Sequence, residues 1–293
     1  MARALSTLRT VGGRIRRRVD PPSPPEELPD DLELLNRAPD EDTFITGNGI
    51  ASRCRWVLNY GPARVNEDGR EDWYFCKADF VDYFFARHVP KSDFVLFSHN
   101  SDILVGAQFG RHLRHRRLRA WFATNVNFEH PKLRAIPIGI ANPRWPHGDT
   151  DVLRRVQRQS LRKTRLFDVT FSLDTNPAER QYCVEQTGLT PSPRQAFEPY
   201  LAGLASSYFS ISPRGNGIDT HRTWEALYMR TIPIVTRSVL TEQHRDLPLV
   251  VLDDWAQFRA IEFSPEIYAR VWGGWDPEAI RLDRYVERLA AVV

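Results

Sequence analysis

Tyr208-Phe209-Ser210-Ile211-Ser212-Pro213-Arg214-Gly215-Asn216-Gly217-Ile218-Asp219-Thr220-His221-Arg222-Thr223-Trp224-Glu225-Ala226-Leu227-Tyr228, followed shortly by Ile232-Pro233-Ile234-Val235, sets the reading of the whole chain. Tyr208 to Ile211 is short, aromatic and β-branched, as a buried strand is, and Pro213 to Gly217 is loop. Asp219 stands where an N-cap belongs, and no Gly or Pro follows until Pro233, inside a second apolar strand. The stretch is therefore a β-loop-α-β unit with its glycine loop at the carboxyl end of a strand.

Such a loop favours an anion. Gly215 and Gly217 allow close approach of the backbone, Asn216 lies between them, and the unpaired N–H groups and dipole of the following helix attract phosphate. Arg214, His221 and Arg222 add positive or polar donors. At spacings of three and four residues, His221, Arg222 and Glu225 are expected along one helical face, with Glu225 placed for ribose hydroxyls or, alternatively, for a local ion pair with Arg222. Trp224, Leu227 and Tyr228 form a neighbouring face suited to the core. The loop is read as a sugar-nucleotide site.

The run Ser-Pro-Arg-Gly-Asn-Gly-x-Asp-x-His-Arg-x-Trp-Glu-Ala-Leu from Ser212 to Leu227, closed by Ile-Pro-Ile-Val, resembles the carboxyl-terminal signature of exostosin-like glycosyltransferases and their bacterial relatives. The resemblance covers about residues 205–255. It implies a GT-B fold, in which two Rossmann-like domains face a cleft, and transfer of a sugar from a nucleoside-diphosphate donor. It places Arg214 near the phosphates and Glu225 on the ribose. It also suggests inversion at the anomeric carbon, no metal and no cofactor beyond the sugar nucleotide, with a glycan or lipid-linked acceptor. A non-catalytic nucleotide- or glycan-binding module is the alternative from another class. The chain is shorter than typical members of that family, and the amino-terminal, acceptor-side domain is expected to be the short one.

At 293 residues, 42% hydrophobic and 11% aromatic, the chain is long and apolar enough for two medium domains. Residues 1–42 are read as a basic, Pro-rich tail and linker, 43–160 as the amino-terminal Rossmann-like domain and 161–293 as the nucleotide-sugar-binding domain. The tail, with Arg14, Arg16, Arg17 and Arg18, is either a disordered arm or a peripheral contact with an anionic membrane surface. No apolar run approaches the ~18 residues of a membrane helix, and no cleavable signal pattern follows Met1. A cytoplasmic protein is expected. Cys54, Cys76 and Cys183 are scattered without a CxxC pair or metal-spaced histidines, which suits a reducing compartment and no zinc site.

In the first domain, strands are expected at Arg55–Tyr60, Phe94–Ser98, Ala120–Asn125 and Leu133–Ile140, with helices over Trp73–Arg87 and Leu104–Leu113. Alternation of this kind argues a parallel sheet, with ligands beyond the carboxyl ends of its strands. That rule selects His99, Asn100 and Asp102, then Asn125 and Asn127, then Gly139 and Asn142. Glycosyl transfer needs a base for the acceptor hydroxyl. Asp102 and His99 are the candidates, read alternatively as a helix cap and a satisfied interior histidine.

Two further features have competing readings. Arg111–Arg119 is a basic run that suits a polyanion or a solvated helix end, and without interleaved aromatic residues it does not resemble a nucleic-acid groove. The acidic pair Asp253-Asp254 suits a metal in principle, but Asp254 is placed to cap the helix starting at Trp255. By the same resemblance, Arg180, after the first strand of the second domain, is a second phosphate contact or else a surface residue.

Overall fold

The computed structural model describes residues 23–24, 31–39 and 43–293, so the Arg-rich tail expected before Pro21 lies outside the described residues. Part of the expected linker is ordered: Leu32–Asn36 forms a short helix, α1, because Leu35 is buried and Asn36 Nδ2 donates to Tyr60 O at 3.0 Å. The chain is mixed α/β and holds two sheets. The first contains β1 (Cys54–Leu58), β2 (Arg64–Val65), β3 (Arg70–Lys77), β4 (Phe94–His99), β5 (Leu118–Ala123) and β6 (Leu133–Ala135), in the order β2-β1-β3-β4-β5-β6. Only β2 runs antiparallel to its neighbour. The second is fully parallel, with β7 (Arg165–Asp168), β8 (Ser207–Ile211), β9 (Ile232–Thr236) and β10 (Val250–Leu252) in the order β10-β9-β8-β7.

The remaining helices are α2 (Gly47–Ala51), α3 (Val81–Arg87), α4 (Gly110–Leu113), α5 (Thr150–Gln159), α6 (Pro177–Thr187), α7 (Phe197–Ala205), α8 (His221–Tyr228), α9 (Val239–Gln243), α10 (Pro265–Trp272) and α11 (Leu282–Ala291). Among the described residues no helix is long and apolar enough to cross a membrane.

Three expectations for the first sheet are corrected. Trp73 to Lys77 is strand: β3 lies between β1 and β4, and an aromatic run with side chains on opposite faces fits a strand covered on both sides better than a helix. The expected helix from Leu104 starts late, since Val105 bridges Val126 and only Gly110–Leu113 is α-helical. The strand at Leu133 ends at Ala135, and Pro137, which has no N–H to give a ladder, follows in an irregular segment. That segment pairs elsewhere: Ile140 N donates to Ile45 O at 2.9 Å.

One face of the second sheet packs Phe209, Ile211, Ile232 and Ile234 against Trp255, Phe258 and Cys183 in a small core. Leu201 and Leu204 of α7 and Trp224 and Leu227 of α8 belong instead to the larger core, which is continuous with Trp73, Phe97 and Phe122 of the first sheet. Helix α11 crosses back: Leu282 lies against Gly49 of α2. Tyr228 OH accepts from Ile45 N at 2.9 Å and donates to Ile280 O at 2.7 Å, joining three distant segments at one buried phenol. All three cysteines are reduced and buried, Cys54 and Cys76 in the larger core and Cys183 in the smaller.

Candidate functional site

The glycine loop from Arg214 to Asp219 leaves β8 and docks on the carboxyl ends of β4 and β5. Asn125, in the left-handed conformation at φ 54°, accepts from Ile218 N (3.0 Å) and Asp219 N (3.3 Å) through Oδ1. Gly217 lies against that amide: a Cβ there would sit 2.4 Å from Asn125 Oδ1. Asp219 does not cap α8, whose N-cap position is Thr220 and lacks a side-chain cap. Its carboxylate accepts instead from Ile138 N (2.8 Å), Trp224 Nε1 (2.7 Å) and Thr220 N (2.8 Å), tying the first half to the second. Burial pushes this carboxyl up to about 6, and the three donors oppose the shift. Asn216 Nδ2 reaches across to Asp102 Oδ2 at 3.1 Å.

Behind the loop lie the basic residues. Arg180 is buried, not on the surface, and donates to Arg214 O (3.0 Å) and Ser172 O (2.5 Å). A Cβ on Gly215 would lie 3.1 Å from its Nη2, so the guanidinium is seated directly against the loop. Arg214 Nη2 donates to Arg237 O at 2.7 Å, and Arg214 lines a small cavity with Ser212, Thr236 and Ser238 at the ends of β8 and β9. Arg214 Nε and Thr236 Oγ1 are buried there without a protein hydrogen bond.

Arg222 and Glu225 do not pair with each other, and His221, Arg222 and Glu225 do not converge. Arg222 pairs with buried Asp168 at 3.1 Å and lies over the Tyr200 ring, while Glu225 Oε2 accepts from Tyr200 OH at 2.7 Å. Burial raises the Glu225 carboxyl. His221 turns the other way, its Nδ1 2.8 Å from Gly139 O.

In front of the loop is a cleft of about 640 Å³, a size suited to a small-molecule ligand. Its walls include Tyr60, Lys77, Asp79, Asp102, Trp145 and His221. Its floor is amide-rich. Asn100, left-handed at φ 58°, donates to Asn48 Oδ1 (2.9 Å) and Asn59 Oδ1 (3.1 Å) and accepts from Asn142 Nδ2 (2.9 Å). Asn48 N donates to Asn142 Oδ1 at 2.9 Å, which closes the network. His99 is committed beside it: Nδ1 accepts from Asn100 N (2.7 Å) and Nε2 donates to Pro137 O (3.2 Å). Burial lowers its pKa to about 4, so the ring is neutral and has no nitrogen free for a ligand. Asp102 is exposed in the turn after β4 and caps no helix.

No family model matches this chain, and no curated protein matches it.

The first half thus supplies the amide and carboxylate groups of the cleft, and from the second half His221 lines it, while the glycine loop, backed by Arg180, touches its edge through Asn216 on Asp102. Of the residues singled out from the sequence, Arg180, Asn125 and Gly139 contact the loop or α8, and Asn100 and Asn142 line the cleft. Asp168 and Tyr200, which fix Arg222 and Glu225, and Asn48 and Asn59, which hold Asn100, were not singled out. The signal for the asparagines was the type itself, since buried amides need partners of their own kind. The basic run is tied down in places: Arg111 pairs with Asp82 and Arg119 with Asp72. Asp254 accepts from Ala256 N at 2.8 Å and from Tyr182 OH at 2.7 Å, as a helix cap does, and Asp253 pairs with Arg237.

Proposed function

We propose that the protein transfers a glycosyl group from a nucleoside-diphosphate sugar to a hydroxyl of a glycan or lipid-linked acceptor, its halves working as the two domains of a GT-B enzyme do. The observation that carries this reading is the Arg180 guanidinium seated against Gly215, in a loop at the carboxyl end of β8 that leads into α8, whose first residue, His221, lines the cleft. The resemblance of Ser212–Leu227 to the exostosin-like signature points the same way.

In this reading the diphosphate rests on the loop. Arg180, Arg214 and the first N–H groups of α8 meet the charge that grows on the leaving group, as preorganised donors do. Glu225 has Oε2 engaged by Tyr200 and leaves Oε1 for ribose. Arg222 does not contact phosphate directly: paired with Asp168, it holds Tyr200 and hence Glu225. The acceptor lies against the amide floor and Trp145, its hydroxyl directed at the anomeric carbon.

Calorimetric titration with UDP, GDP, CDP and ADP tests the donor site. One of these nucleotides is expected to bind the wild type, and R214A and E225Q, with melting temperatures checked, are expected to weaken it by roughly 10- to 100-fold, the loss of one hydrogen bond to a charged group. Absence of binding by the folded wild type sinks the reading.

A further inference from the structure

The cleft holds four side chains of the types that accept a proton from a hydroxyl: Asp79, His99, Asp102 and His221. Asp79 is ion-paired with Lys77; burial raises its carboxyl, but the hydrogen bonds from Lys77 and Ser101 outweigh it and leave it a weaker base than an ordinary aspartate. His99 has both nitrogens engaged. Asp102 already takes a hydrogen bond from Asn216, an amide of the loop itself.

His221 differs from all three. It is the first residue of α8, its Nδ1 is 2.8 Å from a backbone carbonyl, and its ring lines the cleft. A carbonyl can only accept, so Nδ1 carries the proton and Nε2 is the bare nitrogen. Among the described residues Nε2 has no hydrogen-bond partner. The position at a helix N-terminus also disfavours a standing positive charge and keeps the ring neutral.

On the reading of the cleft as a glycosyltransferase site, we propose that His221 is its catalytic base. The acceptor hydroxyl gives its proton to Nε2 as its oxygen bonds to the anomeric carbon. The bond from that carbon to the diphosphate oxygen breaks, and its electron pair leaves with the nucleoside diphosphate. Nδ1–H stays on Gly139 O throughout, so the ring does not turn as it charges. Asp102 favours the imidazolium from across the cleft, so its contribution is to stabilise the charged base rather than to take the proton. Gly139, at φ 65° and with Ile45 O 2.0 Å from where a Cβ would be, fixes the carbonyl that aims the ring.

The charged and titratable groups that face His221 are Asp102, which raises its pKa, and His99 and His147, the latter with ring centroids 6.2 Å away. Burial is the largest influence and lowers it. Turnover is therefore expected to rise with pH through a midpoint below the ordinary histidine value and then level off.

The test compares wild type with H221N, whose amide nitrogen keeps the donor to Gly139 O while removing Nε2. Release of UDP or GDP is followed from UDP-glucose, UDP-galactose, UDP-xylose, UDP-N-acetylglucosamine, GDP-mannose and GDP-fucose with p-nitrophenyl glycosides as acceptors, over the pH range in which imidazole titrates. H221N is expected to melt and to bind UDP or GDP like the wild type, to lose about 10²- to 10⁴-fold in turnover and to lose the acid limb of its profile. Turnover within about tenfold of wild type, or an unchanged acid limb, overturns the proposal while the transferase reading stands. Nucleotide binding with no turnover in the wild type overturns it in favour of a binding module, and absence of nucleotide binding removes both. Independently of activity, ¹⁵N resonances of the imidazole rings are expected to show His221 as the Nδ1–H tautomer; an Nε2–H tautomer overturns the assignment.

Discussion

Asp219 and His99 are buried ionisable groups that pull stability in opposite directions with pH. The folded pKa of His99, about 4, lies below the unfolded value of 6.5. Between those limits the unfolded chain binds more protons, so stability falls as pH drops. Asp219 is reversed: with a folded value of about 6 against 3.8, the folded chain binds more protons in that window and stability rises as pH drops. The windows overlap, and the wild type is expected to show little slope from this pair. Removing either partner exposes the other. D219N is expected to become progressively less stable on acidification and H99Q more stable, by up to about 3 kcal/mol each across the window. Urea unfolding at several pH values measures both, and equal slopes in the two variants would refute the assignment. The role of Asp219 was hidden in the sequence because its deciding partner, Ile138 N, is 81 residues away. Arg214 and the glycines were legible because a loop between a strand and a helix is a local feature.

At the scale of elements, the strand-loop-helix-strand unit around β8 and α8 was readable from composition and spacing alone. β3 was not, because a short aromatic run fits a helix or a strand equally and only its neighbours β1 and β4 decide. The end of β6 was not legible either, since Pro137 ends the ladder but leaves the apolar pattern intact. That irregular segment presents Pro137 O, Ile138 N and Gly139 O to His99, Asp219 and His221 in turn. It is the link through which the first half positions groups of the second. G139A is accordingly expected to cost about 2 kcal/mol or more, from the left-handed backbone and the contact with Ile45 O combined. Chemical denaturation measures this, and a loss under about 0.5 kcal/mol, the scale of an ordinary surface change, would show that the backbone at this turn is not constrained.

For the whole molecule, the two sheets are legible as separate α/β units, yet their separation is not. Leu201, Leu204, Trp224 and Leu227, from helices of the second half, complete the core of the first, and α11 returns to α2. The pattern of apolar residues shows that these helices have a buried face, not which sheet covers it. Such a shared core predicts one unfolding transition, with tryptophan fluorescence and far-UV circular dichroism coincident. Two resolved transitions would mean that the halves fold as independent bodies.

The three buried thiols make that behaviour observable from inside. None is accessible to a maleimide in the native state, so each becomes labelled only when its own surroundings open. Cys183 reports on the small core beneath the glycine loop, and Cys54 and Cys76 report on the large one. Peptide-resolved labelling rates under native conditions therefore act as two clocks in one chain. If they run together, the two cores open only when the molecule unfolds. A faster Cys183 would identify the second half as the part that breathes.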